Sequence, residues 1–130
     1  MIGAGASGLT AALRASELGH EVTLFERQAR VGRKLMATGN GRCNLTNTEA
    51  GPSHYHGGDP DFVLPSLRRF GPAETLAFFR RLGLLTREEY GGRVYPLSNS
   101  ANSVVDVLRQ GLEAAGVSLV CGDRVRELRR

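Results

Sequence analysis

Three glycines at fixed offsets, Gly3, Gly5 and Gly8, follow the apolar pair Met1-Ile2 and lead into a run with helical periodicity. Each glycine of such a turn has its own physical reason. The first permits a tight change of direction. The second lets backbone approach a pyrophosphate where a Cβ would collide, and the third allows a helix to pack closely on a strand. The helix opening at Ala6 and Ser7 offers free N–H groups and a partial positive charge to phosphates. Glycine-rich turns are common, and this one gains weight from its place between a strand and a helix. Such a turn ordinarily follows a buried strand of about five or six residues. The two residues here therefore predict a truncated first strand, as a late start site would produce.

The pattern downstream is α/β. Leu9, Ala12, Leu13 and Ser16 give Ala6 to Leu18 one apolar or small face, and Gly19 stops that helix. Glu21 to Glu26 reads as a short buried strand through Val22, Leu24 and Phe25. A third strand, Val117 to Cys121, comes only after roughly ninety residues, far later than in a simple nicotinamide-binding fold. Between them the sequence predicts a short helix over Gly32–Ala37 and a polar loop over Thr38–Gly58. Two helices opened by proline follow, Pro60–Arg69 and Pro72–Leu82, and then a hairpin over Leu85–Tyr95 turned by Gly91-Gly92. Val104, Leu108 and Leu112 mark a helix over Ala101–Ala115, capped by Ser98 or Ser100 and ended by Gly116. After the third strand, Gly122-Asp123 predicts a turn and Arg124–Leu128 the start of another strand. The expected fold is a Rossmann-like βαβ core with a helical and hairpin excursion between its second and third strands. It divides into 1–47 (βαβ start and second glycine loop), 48–97 (excursion) and 98–130 (helix and third-strand region).

Composition narrows the function. The net charge is +4, but the arginines are scattered, as at Arg68-Arg69, Arg80-Arg81 and Arg129-Arg130. That favours solvated helix faces and a few phosphate contacts over a nucleic-acid surface. No apolar run approaches the roughly 18 residues of a membrane span. Cys43 and Cys121 are too few for a disulfide framework, so a reducing cytoplasm is the expected compartment. His20, His54 and His56 find no cysteine or carboxylate to complete a metal set, and no metal is expected.

The remaining candidates surround the glycine turn. Glu26 ends the second strand, where a carboxylate accepts hydrogen bonds from an adenine ribose. Arg27 beside it would suit a 2′-phosphate, which Glu26 would repel. Arg33 and Lys34 follow Gly32 at a helix start, an unfavourable place for cations unless an anion is near. Gly39-Asn40-Gly41-Arg42-Cys43-Asn44 is a second glycine turn. Gly41 allows backbone close to a flat ligand, and Asn44 offers an amide to ring or ribitol oxygens. Cys43 reads first as a small buried residue. Arg42 would lower its pKa, with no general base beside it. Two cations and a second set of glycines near one pyrophosphate suit FAD better than a nicotinamide dinucleotide.

These residues resemble a known family. Gly3-Ala4-Gly5-Ala6-Ser7-Gly8, Glu26, Gly32-Arg33-Lys34, the Thr38–Asn47 run and Arg93-Val94-Tyr95-Pro96-Leu97-Ser98 are similar to the BaiN/RdsA-type flavoproteins. These are an aminoacetone-oxidase-like, NAD(P)/FAD-dependent oxidoreductase family of the glutathione-reductase type. The resemblance spans essentially the whole chain. It implies FAD on the Gly3–Gly8 turn, Glu26 on the adenine ribose, Arg33 and Lys34 near the cofactor, and adenine contacted by the backbone of Val125. NAD(P)H is the implied electron donor. Family chains are about three times as long, so the expectation is an N-terminal portion of a flavin-dependent oxidoreductase. The alternatives are a non-catalytic fragment or split-gene subunit needing a partner chain, and an NAD(P)-only enzyme. An open sheet edge would favour self-association.

Overall fold

A computed structural model describes residues 1–129; Arg130, the second member of the basic pair at 129–130, lies outside the described residues. The order of regular elements is α1 (Ala6–Glu17), β1 (Thr23–Glu26), α2 (Arg33–Ala37), β2 (Thr46–Asn47), α3 (Leu64–Arg69), α4 (Pro72–Arg81), β3 (Thr86–Glu89), β4 (Arg93–Pro96), α5 (Ala101–Ala114) and β5 (Ser118–Cys121).

β1 and β5 pair in parallel, with Leu24 opposite Leu119 and Phe25 opposite Val120. On the other side of β1, Ile2 forms a parallel bridge to Phe25, and Gly3 N–H donates to the Phe25 carbonyl at 2.7 Å. The short first strand therefore pairs where the sequence predicts it. α1 and α5 pack together over these strands. Leu9, Leu13, Leu24, Leu108 and Leu112 are buried in one core, joined by Phe78 and Phe79 of α4. Successive turns of α5 supply Val104, Leu108 and Leu112, the periodicity by which an amphipathic helix hides one face. Ser100 caps α5 by accepting from Asn102 N–H at 3.3 Å, and Gly116 (φ +69°) turns the chain after it.

A second, antiparallel sheet has the order β2-β4-β3. β3 and β4 are the expected hairpin, closed by the Tyr90–Gly92 turn, in which Gly91 has φ +72°. Three expectations need correction. Thr46-Asn47 lies in a predicted loop yet pairs with Val94 and Arg93, drawing the 38–47 run onto the hairpin. Pro60–Val63 is a 3₁₀ turn capped by Asp59, and the α-helix begins only at Leu64. Arg124–Leu128 forms no strand: among the described residues the chain after β5 turns back to the end of β1 and joins no ladder. There Gly122 N–H donates to the Gln28 carbonyl at 3.0 Å, and Asp123 N–H to the Glu26 carbonyl at 3.2 Å.

Candidate functional site

The glycine turn is built as its spacing requires. Gly3 has φ +91°, a conformation costly for any side chain. A Cβ on Gly8 would lie 1.8 Å from the Gly3 carbonyl oxygen, so α1 reaches the turn only through a glycine. Gly5 differs. Its φ is −83°, and a Cβ there would meet nothing within 4 Å. No contact within the chain demands glycine here, since a Cβ would have room, and the space beside the turn is open. Gly5 is also the N-cap of α1, with no side-chain cap and no acidic residue in the first turn. The first intrahelical bond runs from Leu9 N–H to the Gly5 carbonyl, which leaves the N–H groups of Ala6, Ser7 and Gly8 without partners inside the helix.

Glu26 faces this turn from the end of β1. Its carboxylate accepts from Ala4 N–H at 2.8 Å and from Gln28 N–H at 2.9 Å. The Gln28 bond is the larger reason that the carboxyl is held below the ordinary carboxylate range. Partial burial opposes the shift, and Ala4 and the Arg27 charge add to it. The carboxylate is thus ionised and oriented by backbone, with lone pairs left for further donors.

One cleft of about 430 Å³ gathers these groups. Gly5, Glu26, Arg27, Arg33 and Lys34 line it together with Ala4, Gln28 and Ala37. Arg33 and Lys34 enter from α2, whose start Gly32 sets with φ +69° and whose position is fixed by Gly32 N–H donating to the Ala4 carbonyl at 2.9 Å. Among the described residues neither cation is in an ion pair. An uncapped helix N-terminus, two cations without ion-pair partners and an oriented carboxylate therefore meet around one space. A larger cleft of about 730 Å³ adjoins it, sharing Gln28 and Arg33 and reaching Asp106 and Arg109 of α5.

Five of the sequence candidates, Gly5, Glu26, Arg27, Arg33 and Lys34, thus line one space. Gly3 and Gly8 shape it, and Ala6 and Ser7 contribute the first turn of α1. Gly41 and Asn44 lie outside its lining. Gly41 (φ +82°) is exposed in the second glycine turn, and the Asn44 amide, once turned so that its nitrogen faces the chain, donates to the carbonyls of Thr46 and Val94 at 2.9 and 3.2 Å. Val125 is half-buried in the segment that follows the bonds from Gly122 and Asp123 to the end of β1. Cys43 is buried, and burial pushes its thiol up rather than down. The expected lowering by Arg42 fails because that guanidinium is turned toward Glu89 and Tyr95. The sequence reading missed Ala4 and Gln28, whose N–H groups orient Glu26, and Ala37; Ala4 lies within the glycine turn itself. For Gln28 and Ala37 the signals are only proximity: two residues past the carboxylate, and one helical turn past Arg33.

The family described as HI0933-like protein Rossmann domain matches residues 1–130. Among curated proteins, the 3-dehydro-bile acid delta(4,6)-reductase of Clostridium scindens is 45% identical over 99% of this chain and 32% of its own length. The ribosomal RNA dihydrouridine synthase of Haemophilus influenzae is 31% identical over 100% of this chain and 32% of its own. The chain spans about a third of the length of these relatives. The crystal structure of Thermovibrio ammonificans THI4 superposes with a TM-score of 0.63 at 17% identity, covering 93% of this chain and 36% of that one. That likeness establishes a shared α/β fold, and together with the family match it makes this chain a Rossmann-like α/β dinucleotide-binding domain.

Proposed function

The chain belongs to the family of HI0933-like protein Rossmann domains, and from that premise we propose that it is the FAD-binding N-terminal portion of a flavin-dependent oxidoreductase. One observation carries the reading: Gly5, a residue for which folding needs no glycine, sits at an open helix N-terminus facing Glu26, Arg33 and Lys34 across one cleft. A pyrophosphate fits the helix end and the two cations. A ribose diol fits a carboxylate already oriented by Ala4 and Gln28. Glu26 disfavours a 2′-phosphate by charge, which sets FAD above NADP at this cleft.

Bound flavin supplies hydride or electron transfer, and the protein supplies binding, orientation and electrostatics. The residues of this chain hold the adenine and pyrophosphate end. Val125 supports the adenine through its backbone, and Gly41 and Asn44 of the second glycine turn serve the flavin end. The excursion between β1 and β5 belongs, in this reading, to a glutathione-reductase-type arrangement, with NAD(P)H as electron donor. A segment common to a bile acid reductase and a ribosomal RNA dihydrouridine synthase is expected to carry what both need, a cofactor platform, while substrate choice resides elsewhere. No nucleic-acid partner is proposed for the platform itself. The open edge of β5 is the place for a partner chain or a second copy.

The test is an absorbance spectrum of the purified chain followed by FAD titration. Saturable binding with a shifted flavin band supports the reading. A folded, colourless chain that ignores FAD but is protected from heat by NADPH replaces it with the NAD(P)-only alternative. One that ignores both makes the chain a non-catalytic fragment.

A further inference from the structure

The second glycine turn carries an arrangement that the cleft itself does not explain. The three non-glycine residues with positive φ among the described residues are Asn40 (54°), Cys43 (60°) and Asn99 (59°). Two lie in the Thr38–Asn44 turn, where Gly39 (φ 55°) and Gly41 (φ 82°) are also left-handed. Conformations of this kind cost energy and persist only when their surroundings hold them. The third, Asn99, is a direct partner of Arg42.

Arg42 is the side chain that holds the turn. Its guanidinium pairs with the Glu89 carboxylate on β3, donates through Nε to the Asn99 side-chain oxygen, and lies over the Tyr95 ring, 3.9 Å from the ring centre. Arg87 completes the cluster, 2.9 Å from the same Glu89 oxygen. Tyr95 is buried and supports the turn from beneath. A Cβ on Gly39 would come within 3.2 Å of its ring and 3.1 Å of Asn44 N. Gly39 and Arg42 therefore both pack on one aromatic ring, and one guanidinium fixes a strained turn to a hairpin some fifty residues away in sequence. The exposed residues between them, Asn40 and Gly41, are held where nothing in the chain needs them, and Ala37 of the cleft lies one residue before the turn.

We infer that Arg42 is a positioning residue: by tying the 38–44 turn to Glu89, Asn99 and Tyr95, it fixes where that turn meets the flavin end of the cofactor, without itself touching the adenine and pyrophosphate cleft. The inference rests on the proposed FAD site and predicts a split that general loss of stability would not give. ADP fills only the cleft of Gly5 and Glu26, whereas FAD also reaches the turn. Arg42→Ala is expected to weaken FAD roughly tenfold, the scale of one lost charge-assisted hydrogen bond, while ADP affinity stays within about twofold of wild type. Arg42→Lys should recover only part of the loss, since an ammonium restores the charge but neither the fork nor the planar stacking.

The experiment is parallel titration of the wild-type chain and of these variants with FAD and with ADP, followed by flavin fluorescence and calorimetry. Glu89→Gln, which keeps the side-chain volume at a half-buried position of β3, serves as a second variant and carries the same expectation should Arg42→Ala unfold. Selective loss of FAD with ADP retained supports the role. Equal loss of both ligands, or loss of neither, overturns it and leaves the FAD site standing. A wild-type chain that binds neither ligand removes the FAD site, and the role of Arg42 with it.

Discussion

The carbonyl oxygen of Gly3 stands where the Cβ of any larger residue at position 8 would have to be, 1.8 Å from its ideal position. The contact joins the first strand to the first turn of α1, and neither partner is a flexible side chain. Gly8→Ala must therefore push α1 away from the strand, and Leu24 Cδ1, 3.7 Å from the same point, closes the other side. Overpacking of this kind costs about 1–3 kcal/mol or more. Thermal unfolding should show a clearly lowered Tm for Gly8→Ala. An unchanged Tm would mean that the turn is looser than this contact requires.

Gly5 predicts the opposite behaviour. Its backbone angles suit any residue and its Cβ position is open. Gly5→Val should leave the circular dichroism spectrum close to wild type and lower Tm only by the cost of a poorer helix N-cap, about 0.5–2 kcal/mol, while filling the space assigned to the pyrophosphate and abolishing FAD binding. Wild-type FAD affinity in this variant would move the cofactor away from the α1 N-terminus.

Glu26 links the site to pH. The N–H of Gln28, and then that of Ala4, hold its carboxyl below the ordinary range against the opposing effect of burial. Because the folded pKa is depressed, the stabilisation is fully present above the unfolded value of about 4.3 and is lost as pH falls through the folded one. The Tm gap between wild type and Glu26→Gln should be widest near neutrality and should narrow as pH falls below the unfolded value of about 4.3. A gap of constant size across that range would show that the charge is not what the two N–H groups hold. For FAD, Glu26→Ala should cost about 1–3 kcal/mol of binding, the scale of hydrogen bonds to a charged group.

The parts of this architecture written locally were legible. The glycine offsets, the Leu9-Ala12-Leu13 face of α1 and the Val104-Leu108-Leu112 face of α5 each encode geometry within a few residues, and Glu26 follows from the spacing between turn and strand end. The parts set by distant partners were not. Thr46-Asn47 is too short to show alternation, and its pairing depends on Val94 and Arg93 on a hairpin far along the chain. Arg42 beside Cys43 suggested a thiol-activating pair, but Glu89, Asn99 and Tyr95 compete for the same guanidinium and hold it. The expected strand over Arg124–Leu128 has suitable residues but pairs with nothing among the described residues, and pairing is set by a partner, not by local pattern.

The two thiols should differ sharply in reactivity. Cys121 is exposed at the end of β5, while Cys43 is 1% exposed within the core, and burial pushes its thiol pKa up against a weaker, lowering hydrogen bond with Thr38. Only the thiolate attacks an alkylating reagent, so both access and protonation protect Cys43. Titration of the folded chain with a thiol reagent near pH 8 should modify Cys121 rapidly and Cys43 only after denaturant is added. The slow phase should follow global unfolding rather than local opening, because Cys43 packs within the same core as Leu24 and Leu108. Rapid modification of Cys43 in Cys121→Ser would place the second glycine turn in solvent and remove the strained, anchored geometry on which the role of Arg42 depends.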